Sequence, residues 1–425
     1  MNSLSKIDKE LIWHPFTPLE GSPEPILIRS ARGIYLNTHD GRRIIDAIAS
    51  WWVNIHGHAH PYIADAMAKQ ANTLEHVMFA GFTHEPAIRL AQNLQQILPG
   101  NQAKIFFSDN GSTAVEVALK IAMQYWHNQG IKKRKVVALS GAYHGDTFGA
   151  MAVGERGPFT NPFTQYLFDV EFINFPVGDS EDIALTQLKA LVKKGDVGAF
   201  IFEPLVQGAA GMRMYSPAIL NELMKEARNH DVVLIADEVF TGFGRTGKHF
   251  ACHYLDEYPD IISVSKGITG GTLPLGVTSC SSEIVSAFRS DDFSKTFFHG
   301  HSYTANPVAC AAANASFELL MKDECQEQIV KISKAHTSFK EQLKGDDRVK
   351  ETRSQGTILA VELKTEGEST YSNTLRKRIY PFFLERDILL RPLGNTIYMV
   401  PPYVITEDEL QKVYSGILEF VATLP

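Results

Sequence analysis

Two apolar runs in the middle of the chain each lead to a polar residue, and they constrain the fold more than any other feature. Asp237 ends the run 232–237, and Lys266 comes shortly after the run 261–264. Both runs are rich in valine and isoleucine, as is typical of strands buried on both faces. Because ligands of α/β proteins bind at the carboxyl ends of the strands, we expect the carboxylate and the amine to share one crevice.

That pair of side chains suits pyridoxal phosphate. A lysine amine can form a Schiff base with this cofactor, and a carboxylate can partner its pyridinium nitrogen. A lysine after a strand is more commonly a solvated loop residue, so the prediction of this cofactor depends on further residues in the same crevice.

Strand-like runs alternate with helical patterns between residues 60 and 320. This alternation predicts an α/β fold with a large domain built on a mostly parallel sheet. The C-terminal part mixes helical segments with short strands, as in a smaller α+β domain. We predict three units: residues 1–55 packing with the small domain, residues 56–320 as the large cofactor-binding domain, and residues 321–425 as the small domain.

A third strand end carries a pattern suited to a phosphate. The turn 109–111 follows the run 104–108, and Ser112 opens a segment with helical periodicity. Free backbone N–H groups at a helix start bind anions, and Gly111 allows a close approach of the backbone. A capped helix without a ligand explains these residues equally well.

Two residues fit the two faces of a flat cofactor ring. Tyr143 follows the next predicted strand, and Val239 lies two residues after Asp237. Residues two apart on a strand point to the same face. We therefore predict a ring held between Tyr143 and Val239, although a tyrosine at such a position is otherwise an ordinary loop residue.

Residues 242–247 match the dinucleotide pattern G-x-G-x-x-G. That fingerprint needs a helix immediately afterwards. Only a short segment separates the glycines from Pro259, and Asp237 is already assigned to another cofactor. We therefore exclude a dinucleotide fold.

His56, His58 and His60 resemble a cluster of metal ligands. A catalytic zinc site would need further ligands from later strand ends, for which only His144 and Asp237 offer themselves. The glycine and proline around these histidines indicate a loop, and we expect no metal centre.

Charge and cysteine usage exclude several classes of partner. The net charge is −7, with 41 basic and 48 acidic residues dispersed along the chain, so we expect neither a nucleic acid nor a membrane surface as partner. The four cysteines are far apart and form no C-x-x-C pair, which is typical of reduced thiols in a cytoplasmic protein. No apolar run approaches the roughly 18 residues of a membrane helix, and no apolar signal region opens the chain.

The run 237–247, followed by residues 265–267 and 270–276, resembles the class III pyridoxal-phosphate aminotransferases of fold type I. The resemblance covers essentially the whole chain. It implies that Lys266 is the catalytic lysine, which forms the Schiff base and moves protons, and that Asp237 keeps the ring nitrogen protonated.

The same resemblance implies further roles. Gly111 and Ser112 would bind the phosphate, and Tyr143 would stack on the ring and line the substrate site. Members of the family are homodimers with active sites at the interface, so a loop of the neighbouring chain would complete the site. The residues of this loop are Gly300, His301 and Ser302. Ser302 replaces the usual threonine and keeps the hydroxyl, whereas His301 replaces a residue that is often proline.

Finer features resemble the branch of the family that acts in biotin synthesis. They are the segments 12–17, 50–52, 143–151, 211–215 and 391–403. The implied reaction transfers the amino group of S-adenosylmethionine to 8-amino-7-oxononanoate and gives 7,8-diaminononanoate. The implied substrate-binding residues are Phe16, Trp51, Trp52, Tyr143, Gly300, Arg391 and Tyr398.

Three of these residues suit the long apolar acceptor, which ends in a carboxylate. Trp51 and Trp52 offer apolar walls, and Arg391 offers a bidentate partner for the carboxylate. Phe16 stands where close relatives carry tyrosine, so a phenolic hydrogen bond is lost there.

Other activities remain open at this point. One is another class III aminotransferase that uses an ω-amine with pyruvate or 2-oxoglutarate, and another is a lysine-dependent version of the same synthase. A non-enzymatic relative is disfavoured because the lysine, the aspartate and the phosphate pattern are all present.

Overall fold

The computed structural model describes residues 3–157, 159–365 and 373–425. The strands in these ranges are β1 Ile28–Arg32, β2 Tyr35–Thr38, β3 Arg43–Asp46, β4 Gln102–Ser108, β5 Lys135–Leu139, β6 Val170–Ile173, β7 Val197–Phe202, β8 Val206–Gln207, β9 Arg213–Met214, β10 Val233–Asp237, β11 Ile261–Val264, β12 Gly276–Ser281, β13 Val349–Gln355, β14 Ile358–Leu363, β15 Ile388–Leu389 and β16 Thr396–Met399.

The helices of the same ranges are α1 Ser3–Leu11, the irregular single turn α2 Ala49–Trp52, α3 Pro61–Thr73, α4 Glu85–Ile97, α5 Gly111–Asn128, α6 Phe148–Ala152, α7 Ser180–Val192, α8 Pro217–Arg228, α9 Ser282–Ser286, α10 Pro307–Leu320, α11 Asp323–Gln342, α12 Arg376–Leu384 and α13 Glu407–Ala422. Short 3-10 helices lie at Asn161–Tyr166, Ala251–Tyr254, Lys266–Thr269 and Phe293–Lys295.

A seven-stranded sheet in the order β4-β12-β11-β10-β7-β5-β6 forms the centre of the molecule. β12 is antiparallel to β4 and β11, and the other neighbouring pairs are parallel. The prediction of an α/β fold with a mostly parallel sheet is confirmed.

Both faces of this sheet are buried, which explains why its central strands are almost wholly apolar. Neighbouring residues of β10 belong to two different core clusters. Leu234 packs in the cluster that contains Leu223 of α8, whereas Ile235 packs in the cluster that contains Ala118 of α5. Helices therefore cover the sheet on both sides, and the carboxyl ends of its strands remain open at one edge.

Two smaller sheets join distant parts of the chain. One has the order β1-β2-β3-β15, so that β3 near the N-terminus pairs in parallel with β15 near the C-terminus. The other has the order β13-β14-β16. The domain boundaries at residues 55 and 320 stay predictions. Within the described ranges, no helix has both the length and the apolar character needed to cross a membrane.

The glycine pattern at residues 242–247 forms turns. Gly244 and Gly247 adopt φ values of +96° and +95°, and the segment that follows is the single 3-10 turn Ala251–Tyr254. A long helix, which a dinucleotide site requires, does not follow these glycines.

Candidate active site

Five strand ends of the large sheet meet around one cavity of about 710 Å³. The loops after β4, β5, β7, β10 and β11 all contribute side chains to its wall. The predicted residues that line it are Gly111, Ser112, Tyr143, Asp237, Val239, Lys266 and Trp52.

Lys266 stands at the start of the 3-10 turn that follows β11, and its backbone adopts a φ of +44°. Its Nζ lies 4.7 Å from the ring centroid of Trp52 and 5.6 Å from that of Phe240. Removal from water lowers the pKa of Lys266 to about 8, although the negative charges of Asp237 and Glu203 oppose this change. The amine is therefore easily made neutral, as a nucleophile or a proton carrier must be.

Asp237, the last residue of β10, is buried and oriented by two donors. Its Oδ2 lies 2.7 Å from Nδ1 of His144, and its Oδ1 accepts a hydrogen bond from the backbone N–H of Val239 at 3.0 Å. Nε2 of His144 is buried and has no hydrogen-bond partner among the described residues. The protein itself thus fixes the carboxylate at the floor of the cavity.

Helix α5 begins at the cavity, and its N-cap is Asn110. The Asn110 side chain accepts from the N–H of Thr113, and the Thr113 hydroxyl accepts from the N–H of Asn110. This cap leaves the N–H groups of Gly111 and Ser112 without a partner among the described residues. Since Ser112 is not the cap, helix capping does not account for a serine at this position.

Gly111 and Ser112, the residues predicted to bind the phosphate, pack tightly against the rest of the cavity wall. The Ser112 hydroxyl accepts from the N–H of Thr147 at 3.0 Å and lies 2.7 Å from the Thr147 hydroxyl. A Cβ at Gly111 would lie 2.6 Å from Cγ1 of Val239. Only glycine therefore lets the helix start and Val239 approach this closely.

Glu203 is a member of the site that the sequence interpretation missed. It follows β7 directly and is buried, with Oε1 accepting from the N–H of Tyr143 at 3.1 Å and Oε2 from the N–H of Gly208 at 3.0 Å. Burial raises the pKa of Glu203 to about 7. The signal was available, because Glu203 follows an apolar strand in the same way as Asp237 ends one. Phe240 and Thr147, which also line the cavity, were missed as well.

The inner apolar wall is Trp52, only 6% exposed. Its Nε1 donates a hydrogen bond of 3.0 Å to the hydroxyl of Tyr398 on β16. The ring also packs against Phe240, with centroids 4.7 Å apart. Tyr398 therefore supports the wall from the C-terminal part of the chain.

Phe16, Trp51 and Arg391 form a second cluster, which does not line the cavity itself. The Phe16 and Trp51 ring centroids are 5.6 Å apart, and the Arg391 guanidinium lies 5.2 Å from the Trp51 ring. Arg391 makes no ion pair with a carboxylate of the described residues. Trp51 of this cluster directly precedes Trp52 of the inner wall in the sequence.

Two of the three histidines considered as metal ligands, His56 and His58, are bonded to other groups. His56 Nε2 lies 2.9 Å from the carbonyl oxygen of Ser316, and His58 Nε2 lies 2.8 Å from Asp46. Within the ranges that the structure describes, no group of three metal-ligating side chains is found.

Comparison with known proteins identifies the family. The sequence profile of the family "Aminotransferase class-III" matches residues 18–421. The chain is 48% identical to the adenosylmethionine-8-amino-7-oxononanoate aminotransferase of Synechococcus elongatus, over 96% of this chain and 98% of that protein. It is 38% identical to the enzyme of the same name from Staphylococcus aureus, over 96% and 95%.

The chain belongs to the class III aminotransferase family.

Solved structures agree with this assignment. The adenosylmethionine-8-amino-7-oxononanoate aminotransferase of Methanocaldococcus jannaschii is 36% identical and superimposes with a TM-score of 0.92 over 98% of both chains. An omega transaminase of Pseudomonas jessenii, solved with PMP, has a TM-score of 0.93 at 24% identity, which shows the shared fold.

As a class III aminotransferase, the chain is an enzyme that depends on pyridoxal phosphate. The residues around the cavity fit this cofactor. Lys266 offers an amine with a lowered pKa, Asp237 a fixed carboxylate, and the start of α5 two N–H groups that no described residue bonds. Tyr143 and Val239 both line the space between these groups.

The loop with Gly300, His301 and Ser302 does not line the cavity of its own chain. Gly300 and Ser302 are exposed, while the His301 ring accepts from the N–H of Tyr303 at 3.2 Å. Their predicted role depends on a second copy of the chain and stays a prediction.

Proposed function

We propose that this class III aminotransferase transfers the amino group of S-adenosylmethionine to 8-amino-7-oxononanoate and so forms 7,8-diaminononanoate in biotin synthesis. The placement of Lys266 and Asp237 in one cavity carries the transamination chemistry. The names of the relatives reported above support the substrate pair, because each matches nearly the full length of the chain.

Different residues of the cavity bind different parts of the cofactor. The N–H groups of Gly111 and Ser112 bind the cofactor phosphate, with the positive end of the α5 dipole behind them. Tyr143 and Val239 hold the faces of the ring. Asp237, oriented by His144, keeps a proton on the ring nitrogen.

When bound, pyridoxal phosphate withdraws electrons from the carbon that bears the amine, which makes loss of its proton feasible. Lys266 Nζ, once neutral, would take that proton from Cα and deliver it to the carbon of the cofactor that is bonded to the amine nitrogen. Burial of the amine between Trp52 and Phe240 keeps its pKa low enough for this task. The same residues serve both half-reactions, first with the amino donor and then with the keto acceptor.

The acceptor is an apolar chain with a carboxylate at its end, and the walls match both parts. Trp52 lines the inner space, and Phe16 and Trp51 continue the apolar surface outward. Arg391 lies beside Trp51 and has no carboxylate partner among the described residues, so its guanidinium is available for a bidentate ion pair.

A homodimer completes the site in this proposal, with Gly300, His301 and Ser302 of each copy reaching the phosphate of the other. Large apolar side chains beside this loop support the proposal: Phe298 is 60% exposed and Tyr303 is 67% exposed in the single chain. The cytoplasm is the proposed location.

A panel of amino donors tests the substrate assignment. The bound cofactor changes its absorbance when an amine is transferred, so each donor can be read without a coupled assay. S-adenosylmethionine should convert the cofactor fully, and 8-amino-7-oxononanoate should then restore it. Conversion by lysine or by an ω-amine, with none by S-adenosylmethionine, would favour an alternative class III activity.

Lys266→Ala is the control for this panel. We expect the variant to fold, because the side chain makes no hydrogen bond to a described residue, and to lose turnover completely. Retained full activity would contradict the mechanism. Borohydride reduction of the wild-type holoenzyme should mark Lys266 alone with a pyridoxyl group.

A further inference from the structure

The turn α2, which carries both Trp51 and Trp52, has an unusual backbone. Ala49, Ser50 and Trp52 adopt φ values of +49°, +59° and +67°, although none of them is glycine. Ser50, with ψ of −81°, lies in the region of the strained γ-turn. Such conformations persist only where surrounding interactions hold them, and they are concentrated at functional sites.

The Asp46 carboxylate holds this turn. Asp46 is fully buried at the end of β3, and its Oδ2 accepts from the N–H of Ser50 at 2.6 Å and from the Ser50 hydroxyl at 2.9 Å. The same oxygen lies 2.8 Å from Nε2 of His58, and Oδ1 accepts from the N–H of Ile48 at 3.3 Å. One side chain therefore organises both the turn and the loop that follows it.

His58 is held at its backbone and at its ring. Its N–H donates to the carbonyl of Gly33 at 2.7 Å, and its carbonyl accepts from the Gly33 N–H at 3.1 Å. Nδ1 lies 3.0 Å from Nδ2 of Asn54, an amide donor, so Nε2 carries the proton that goes to Asp46. Ser50 and His58 both bond to Asp46 rather than to each other. The three residues therefore do not form a catalytic triad in which His58 would act as the base for the Ser50 hydroxyl.

The strained turn directs two adjacent tryptophans to different places. Trp52 lines the cavity beside Lys266, whereas Trp51 lies outside it with Phe16 and Arg391. A regular helical or extended backbone at Ser50 would rotate at least one of these rings away from its wall. The geometry of the turn therefore sets both apolar surfaces at once.

We propose that Asp46, Ser50 and His58, here called the Asp46 clamp, are positioning residues that hold Trp51 and Trp52 as substrate walls and thereby determine specificity for the long apolar acceptor. The inference rests on the proposed function for the identity of the acceptor. The clamp itself touches neither cofactor nor reacting atoms, and acts only through the two tryptophans.

A purely structural role predicts a different behaviour. In that case a variant of the clamp would change activity only as far as it lowers stability. Ser50→Gly separates the two roles, because glycine adopts positive and negative φ about equally easily. The variant loses backbone strain and so keeps its stability, but without the hydroxyl bond to Asp46 the turn is no longer held in one conformation. His58→Gln removes the imidazole bond to the carboxylate. His336→Gln is the matched control, since His336 is also buried and bonded through both ring nitrogens, to Tyr414 and Thr357.

The experiment measures each half-reaction and the tryptophan rings separately. In Ser50→Gly holoenzyme we expect an unchanged Tm, while KM for 8-amino-7-oxononanoate rises about 10- to 100-fold and kcat falls less, because the walls become misplaced. In protein labelled with fluorotryptophan, fluorine NMR should show the Trp51 and Trp52 signals shifted or broadened, with Trp13 and Trp126 unchanged. His58→Gln should give the same pattern. His336→Gln should lower Tm and leave KM and all four signals unchanged.

Unchanged Trp51 and Trp52 signals in both clamp variants, or a lowered Tm with an unchanged KM as expected for His336→Gln, would overturn the proposal. The NMR measurement needs no substrate. Failure of the donor panel in the wild type would therefore refute the proposed substrates without affecting the test of the clamp, whose KM measurement would then use the acceptor that the panel identifies.

Discussion

At the scale of single residues, the environment of Lys266 sets the pH at which its amine becomes neutral. Burial lowers its pKa from the ordinary 10.5 to about 8, and the Asp237 carboxylate opposes that change. The charged form is thus disfavoured in the folded chain. It follows that Lys266 contributes increasing stability as pH rises from about 8 to 10.5, where the unfolded chain still binds the proton and the folded chain does not.

We predict that Lys266 in cofactor-free protein reacts with an amine-directed reagent with a midpoint near pH 8. Mass spectrometry of digests taken across a pH series would measure this, with a lysine-containing model peptide of ordinary pKa 10.5 as the reference. Asp237→Asn removes a charge that favours the ammonium form, so its midpoint should move to lower pH. A Lys266 midpoint equal to that of the model peptide would show that burial does not control the amine.

Arg391 offers a second prediction at this scale. Arg391→Ala should raise KM for the carboxylate-bearing substrates about 10- to 100-fold, because a charge-assisted bidentate bond is lost, and should leave Tm unchanged. Arg391→Lys should recover only part of the loss, since lysine cannot bind both carboxylate oxygens in the same fork. Arg386→Ala, which removes a surface pair with Glu419, is the control. Unchanged KM for both substrates would remove Arg391 from the site.

At the scale of elements, the start of α5 depends on close packing against the strand end at Val239. Gly111→Ala would bring Cβ to 2.6 Å from Cγ1 of Val239, so the helix start and the ring-binding residue must separate. We predict at least a 10-fold weaker affinity for pyridoxal phosphate, because the N–H groups and the face of the ring no longer match. Titration of the cofactor-free protein by absorbance measures this. Gly157→Ala, where a Cβ meets nothing within 4 Å, should bind normally.

The elements that the sequence predicted best are those whose pattern is local. The apolar runs of β7, β10 and β11 indicated buried strands, and the position of Asp237 and Lys266 at their ends followed directly. The role of Asp46 could not be predicted in this way. Its bonds to Ser50 and His58 depend on the positive φ values of the turn α2, which no local sequence pattern indicates. His144 likewise required the structure, since its bond to Asp237 joins a loop to the end of a strand 93 residues away in the sequence.

At the scale of the whole molecule, one chain supplies the lysine, the aspartate and the helix start, but its own Gly300–Ser302 loop does not line its cavity. The proposed homodimer resolves this, because the symmetry of two copies lets each loop reach the other site. Residues that act together would then be divided between chains. Such a division can be tested by mixing variants, independently of any measurement of mass.

We predict that two inactive variants recover activity when they are expressed together, provided that their changes affect opposite sides of the interface. Lys266→Ala disables the site of its own chain, and Ser302→Asp places a negative charge against the phosphate bound by the other chain. A heterodimer of the two has one site with both changes and one with neither. Random pairing should therefore restore about a quarter of wild-type activity. Lys266→Ala mixed with Asp237→Ala should restore none, because both residues belong to the same side of every site. Recovery in neither mixture would show that Ser302 acts within its own chain or outside the active site.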